Sequence, residues 1–271
     1  MHSTHENAPV MNLERYDARI LDVNAPSPPA AGGAPPLNRG VRPGNPVWRD
    51  SLDLMEQHVP FGHRKVQVHD EIYVCGKPFD TLYLISTGLF KIMNLVPDGR
   101  EQPAGFFFKG DWLGFDGIPT GAHTCSAVSL DIGELWTVRY ETLLKASVKD
   151  PQLMRLVLAA VSAQLARNRD ASLSMGTLSA DARVADFLFQ WALSLEERGM
   201  RTDEFDLHLS RADIGSYLGL RLESVSRALS KLTRDGIIQF QEKGRRVVSI
   251  PNLDALRNFI RDSADLPADL H

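Results

Sequence analysis

Cysteine is nearly absent from this chain: Cys75 and Cys125 are the only two among 271 residues. Two thiols cannot build a disulfide framework and are too few for a metal cluster, so the fold has to rest on an apolar core. The 43% hydrophobic content is enough for that, with room for two domains and a tail. Long apolar runs are missing too. No stretch reaches the ~20 residues of a membrane span, and the opening MHSTHENAPV lacks the charged-then-apolar order of a signal peptide. The expectation is a cytoplasmic protein with no membrane partner. Charge of one sign is also scarce, with 30 Lys and Arg against 34 Asp and Glu for a net −4. Such a total does not announce a nucleic-acid binder, but it can hide a local basic patch. Catalytic patterns are lacking as well: there is no nucleophile–base arrangement, phosphate loop or metal-ligand spacing, and Asp111 and Asp116 read as turn residues. No enzymatic activity, metal or cofactor is expected.

What is present divides the chain into four parts. Residues 1–47 form an N-terminal extension whose 24–46 stretch holds seven Pro and four Gly; it cannot offset ordering entropy by burial and reads as a disordered tail and linker. Residues 48–150 have a β texture. Leu82–Ser86 leads through Thr87-Gly88 to Leu89–Met93 and the turn Pro97-Asp98-Gly99, and Phe106–Phe108, Ala127-Val128 and Leu135–Val138 follow. Many short strands with closely spaced Gly turns suggest a small barrel or sandwich. Over 151–178 the period changes. Pro151 suits the first turn of a helix, and Met154, Leu158, Val161 and Leu165 recur at spacings of 4, 3 and 4, continued by Asn168 and Ser172. That is a heptad seam, able to pair with its own copy as a dimerisation helix, or to pack on its own domain.

Residues 179–271 carry the strongest signal. After a helix over 181–198, Ser210-Arg211-Ala212-Asp213 outlines a capping box. A short helix runs to Leu218 and stops at Gly219; a second runs from about Leu222 to Asp235 and stops at Gly236. Two short helices joined through a Gly-containing turn are the helix-turn-helix pattern, and Ile214, Leu218, Val225, Leu229 and Leu232 are spaced to lock them together. Arg211 and the start of the second helix, Arg221, Glu223, Ser224, Ser226 and Arg227, would face base edges in a major groove. Arg can hold guanine bidentately, Glu can accept from cytosine and Ser suits several edges. A hairpin from Ile237 to Ile250 then reads as a wing, with Lys243, Arg245 and Arg246 at its turn for phosphates. Between Arg211 and Arg246 there are eight basic residues against four acids, a modest local patch. A solvated polar helix face is the ordinary reading of such charges; the Gly turn, the small exposed residues and the hairpin argue against it here.

The run RADIGSYLGLRLESVSR, residues 211–227, resembles the signature of the Crp/Fnr superfamily, and Gly110–Asp116 resembles its Fnr-like branch. The resemblance covers about 64–250. It implies an α+β architecture: an N-terminal β-roll of the cyclic-nucleotide-binding (jelly-roll) type, a long dimerisation helix and a C-terminal winged helix-turn-helix. It further implies a homodimeric transcription regulator whose Glu223, Ser226 and Arg227 read a TTGAT-N4-ATCAA-like palindrome in double-stranded DNA. RNA polymerase is the implied second partner, through the loop Pro97-Asp98-Gly99-Arg100. The chain departs from its relatives in what it could sense. No Cys stands in the first 74 residues and Trp136 aligns with the internal cluster ligand, so neither an iron–sulfur cluster nor, without an Arg over Ala122–Ser126, cyclic AMP is expected. Three possibilities stay open: constitutive activity, redox sensing through Cys75 and Cys125, or haem or another small molecule held by a residue such as His69 or His123. A β-roll module whose output is not transcription is the alternative function.

Overall fold

The computed structural model describes residues 55–96, 99–241 and 247–264. The N-terminal extension, Pro97 and Asp98, and the wing cations Lys243, Arg245 and Arg246 lie outside the described residues.

The first half is a sandwich of two antiparallel four-stranded sheets. Strands β1 (Gly62–Val66), β8 (Gly133–Arg139), β3 (Thr81–Thr87) and β6 (Trp112–Leu113) form one, in the order β1-β8-β3-β6. Strands β2 (Glu71–Tyr73), β7 (Ser126–Ser129), β4 (Phe90–Leu95) and β5 (Glu101–Phe107) form the other, in the order β2-β7-β4-β5. The two-residue period of β3 explains how one sheet serves two cores. Tyr83 and Ile85 face inward onto Phe90, Leu113 and Leu135, whereas Leu82 and Leu84 face outward onto Val138, Leu143 and Leu153. Burying each such side chain contributes about 1.5–3 kcal/mol.

The outward face is covered by helix. β8 runs directly into α1 (Tyr140–Lys149), and α2 (Pro151–Thr177) follows after Asp150. Asp150 caps α2, its Oδ1 accepting from the Gln152 N–H at 2.9 Å, and Pro151 occupies the first turn, where no N–H is needed. Only Leu153 and Val157 of this 27-residue helix are buried in the chain.

The last third is built on α3 (Ala180–Glu196), β9 (Glu204–Asp206), α4 (Arg211–Leu218), α5 (Leu222–Arg234), β10 (Gln239–Phe240), β11 (Val247–Ser249) and α6 (Leu253–Ala264). β10, β11 and β9 make a small antiparallel sheet. Ile214, Leu218, Val225, Leu229 and Leu232 are all buried in one cluster with Val184, Leu188, Ile238, Val248 and Leu256. That cluster also takes in Leu89, Phe108 and Leu130 from the roll. The N-terminal β-roll, the long helix and the C-terminal winged helix-turn-helix are therefore the architecture. α1 and β9 lie beyond the elements expected from sequence. α1 buries a single residue, Leu143, so its apolar stripe is too thin to stand out; β9 is three residues long and is a strand only because Phe205 pairs with Val248.

Candidate nucleic-acid interface

The reading surface starts with a fixed helix start. Ser210 Oγ accepts from the Asp213 N–H at 3.0 Å, and Asp213 Oδ2 accepts from the Ser210 N–H at 3.1 Å, closing a reciprocal capping box at α4. Burial works against the Asp213 carboxylate, but the Ser210 hydroxyl and the Lys91 ammonium, at 3.4 Å, hold its pKa below the ordinary value. Lys91 stands on β4, and Gln102 of β5 donates to the Ser216 carbonyl at 2.8 Å, so the roll grips α4 directly.

The turn between α4 and α5 depends on two glycines. Gly219 ends α4 in the left-handed region (φ 65°), and the Leu220 N–H reaches back to the Gly215 carbonyl at 2.8 Å. A Cβ on Gly215 would lie 2.7 Å from the Leu220 carbonyl oxygen, so only hydrogen fits there. This close turn lets Ile214 and Leu218 pack on Val225 and Leu229, and it leaves the opposite face of α5 outward.

That outward face gathers six of the nine expected DNA residues. Arg221, Glu223 and Arg227 are exposed, Ser224 and Ser226 half-buried. Arg211 donates to Ser226 Oγ at 3.2 Å and Arg227 to Ser224 Oγ at 3.3 Å, which orients both guanidinium groups along the helix. Glu223 lies in the first turn, where the helix dipole favours an anion. Sequence reasoning passed over Leu222, which is 48% exposed between Arg221 and Glu223. An apolar side chain in that place suits the methyl of thymine. It also passed over Ser230 and Arg234, which with Ser179, Ala180, Ser226 and Arg227 line an open groove of about 750 Å³ between the start of α3 and the length of α5. Lys231 in that groove is held by Asp181 at 2.8 Å.

The expected dimerisation residues divide. Leu158 and Leu165 are 60% and 64% exposed, Asn168 and Ser172 are exposed, and Val161 is half-buried. Met154 instead packs on the intrachain cluster around Leu143 and Leu153. Cys75 is half-buried and Cys125 buried, both in the roll. His69 sits in a turn at φ 71°, and His123 is buried and stacked on Tyr73 at 3.8 Å.

A further node joins the parts. Asp111 of the roll accepts from the Phe108 N–H at 2.9 Å, from Arg198 in the turn that follows α3 at 2.9 Å and from Arg167 of α2 at 3.1 Å. Asp111 is thus more than the turn residue expected from sequence.

The comparisons with known proteins agree with this geometry. Residues 63–150 match the cyclic nucleotide-binding domain and residues 182–259 the Crp-like helix-turn-helix domain. The fumarate and nitrate reduction regulatory proteins of Salmonella typhimurium and Escherichia coli K12 are each 31% identical over 208 residues, spanning 76% of this chain and 80% of theirs. The chain belongs to the Crp/Fnr family. Among solved structures of this Crp/Fnr family, FixK2 from Bradyrhizobium japonicum is 32% identical, with a TM-score of 0.65 over 78% of this chain and all of its own. A Crp-family transcriptional regulator from Thermus thermophilus, at 21% identity and a TM-score of 0.60 over 75% of this chain and all of its own, shares the fold. This Crp/Fnr chain is a transcription regulator with a DNA-binding helix-turn-helix. Among the described residues, no helix is long and apolar enough to cross a membrane.

Proposed function

We propose that this regulator acts as a homodimer that reads a TTGAT-N4-ATCAA-like palindrome, without an iron–sulfur cluster and without cyclic AMP. The observation that carries the reading is the outward face of α5, where Arg221, Leu222, Glu223, Ser226 and Arg227 are presented together on a helix locked from behind. Arg227 and Glu223 supply the donor and acceptor for a G·C pair, and Leu222 supplies an apolar surface for thymine. The exposed stripe of Leu158 and Leu165 supports pairing of α2 with a second copy, which would set two reading helices about one DNA turn apart. RNA polymerase is the proposed partner of the bound dimer; of the loop expected to meet it, Gly99 and Arg100 are described and Pro97 and Asp98 are not.

The roll's residues do not fit the two effectors that its family suggests. A four-cysteine cluster cannot be assembled from Cys75 and Cys125, and among the described residues no group of three or more His, Cys, Asp or Glu is placed to hold a metal. For a cyclic phosphate, the loop over Ala122–Ser126 offers no Arg. Its backbone donors are taken by a carboxylate instead: the N–H groups of Thr124 and Cys125 donate to Asp116 Oδ2 at 2.8 and 3.4 Å, and His123 Nδ1 lies 3.4 Å from both Asp116 oxygens. A second anion there would meet the charge of Asp116 with no guanidinium to offset it.

The test is a titration of aerobically purified, metal-free protein against a TTGAT-N4-ATCAA duplex, alongside a duplex with one altered base pair per half-site. Tight, selective binding without added ligand is expected. Arg227→Ala should weaken specific binding by about 1–3 kcal/mol per half-site with the fold unchanged. Affinity and selectivity between the cognate and altered sites unchanged from wild type in this variant would refute the assignment.

A further inference from the structure

Beyond the DNA reading, the roll carries its two cysteines at one spot. Tyr73 of β2 pairs with Ala127 of β7, and beyond the end of β2 Pro78 bridges to Ala122. Between these two pairings β2 gives way to a turn, in which the Lys77 N–H reaches the Val74 carbonyl at 3.1 Å and Gly76 stands at φ 79°, and Cys75 lies in that turn. Its contacts lead to both neighbours of Cys125. The Cys75 N–H donates to Ser126 Oγ at 3.1 Å, and Cys75 Sγ lies 3.3 Å from the Thr124 carbonyl, beside the peptide that precedes Cys125. Cys75 thus touches the residues on both sides of Cys125, and a disulfide requires its two Cα atoms within roughly 4.4–6.8 Å of each other. The only two cysteines in 271 residues, 50 positions apart in the chain, are thereby brought side by side and are not two isolated core side chains.

We propose that Cys75 and Cys125 are a reversible oxidation site at which a hydroperoxide converts the neighbouring thiols to an intrachain disulfide. The environments assign the order of the steps. Cys75 is half-buried and open to a small oxidant, whereas Cys125 is buried against Tyr73. Burial, then the neighbouring Asp116 carboxylate, pushes the Cys125 thiol up to about 12, so it is held protonated. Cys75 therefore reacts first: its thiolate attacks one peroxide oxygen, the S–O bond forms, the O–O bond breaks, and the leaving oxygen takes up a proton as water or alcohol. Cys125 then attacks the Cys75 sulfur. The S–S bond forms, the S–O bond breaks, and hydroxide leaves as water with the Cys125 proton. Two thiols lose two electrons in all, and the peroxide gains them. A dithiol reductant restores both thiols by exchange. Asp116 and the Tyr73 hydroxyl, which is buried without a hydrogen-bond partner, are the polar groups beside this step.

The full chain, reduced and then treated with one equivalent of hydrogen peroxide, tests this directly. Thiols are alkylated under denaturing conditions and the digest is read by mass spectrometry. The expected result is joint loss of both thiols, a linked Cys75–Cys125 peptide pair, and full recovery with dithiothreitol. In Cys125→Ser, the sulfenic acid on Cys75 should persist and be captured by dimedone. Oxidation of Cys75 to sulfinic acid while Cys125 stays alkylatable would overturn the proposal, as would cross-linking between chains. The wild-type measurement stands whether or not the variant folds. It is also independent of any DNA site, so a failure here is distinct from a failure of the DNA reading.

Discussion

Replacing Arg198 with alanine is expected to destabilise the protein by about 3–5 kcal/mol, the usual effect of leaving one member of a buried ion pair without its partner. The side chains of Arg198 and Asp111 are 7% and 8% exposed and meet at 2.9 Å. Arg198 also donates to the carbonyls of Lys109 at 2.7 Å and Ser194 at 2.5 Å, and its guanidinium lies 5.2 Å from the centre of the Phe108 ring. Truncation would leave the buried Asp111 carboxylate with only the Phe108 N–H and the half-exposed Arg167, and would remove this donor from two carbonyls where the roll meets the helix-turn-helix. Arg167, the second partner of Asp111, is 44% exposed, so Arg167→Ala should cost no more than about 1 kcal/mol. Urea and thermal unfolding of the two variants beside wild type provide the assay. At about 2–4 °C per kcal/mol for a chain of this size, thermal midpoints should fall by roughly 6–20 °C for Arg198→Ala and by less than about 4 °C for Arg167→Ala. Equal losses from the two variants would refute the argument that burial, and not charge pairing as such, sets the strength of this node.

Three further expectations test other parts of the molecule. Gly215→Ala places a methyl 2.7 Å from the Leu220 carbonyl oxygen and should cost about 1–3 kcal/mol by forcing the α4–α5 turn apart, seen as a lower unfolding midpoint and weaker DNA binding. Leu165→Glu puts a charge on the exposed stripe of α2 and should shift the sedimentation coefficient from dimer to monomer without loss of helical signal; an intact dimer would reject the seam. Asp213 has a folded-state pKa below its unfolded value, so its contribution is fully present above the unfolded pKa and is lost as pH falls through the folded one. The stability gap between wild type and Asp213→Asn should therefore be constant at neutral pH and shrink as pH falls below about 4; a gap that persists in acid would contradict the pairing with Ser210 and Lys91.

How much was legible in the residues alone depends on how local each interaction is. The capping box at Ser210 and Asp213, the stops at Gly219 and Gly236 and the apolar spacing from Ile214 to Leu232 are short-range patterns. The helices they define have the expected bounds to within a residue, because backbone and side chain agree within one turn. The β-roll was readable as short strands between Gly turns, but not its pairing order, which joins residues as distant as Gly62 and Thr137. Three features depended wholly on the tertiary structure. Leu222 carried no signal of its own until the packing of Val225 and Leu229 turned it outward. Asp111 looked like turn chemistry until Arg167 and Arg198, 56 and 87 positions away, converged on it. Cys75 and Cys125 were two separate thiols until the turn after β2 set Cys75 against Thr124 and Ser126, on either side of Cys125. Periodicity, caps and turn residues act over a few bonds and so are written in the sequence; partners brought together by sheet pairing and domain docking are chosen by the whole chain's burial of its apolar surface, which no local window contains.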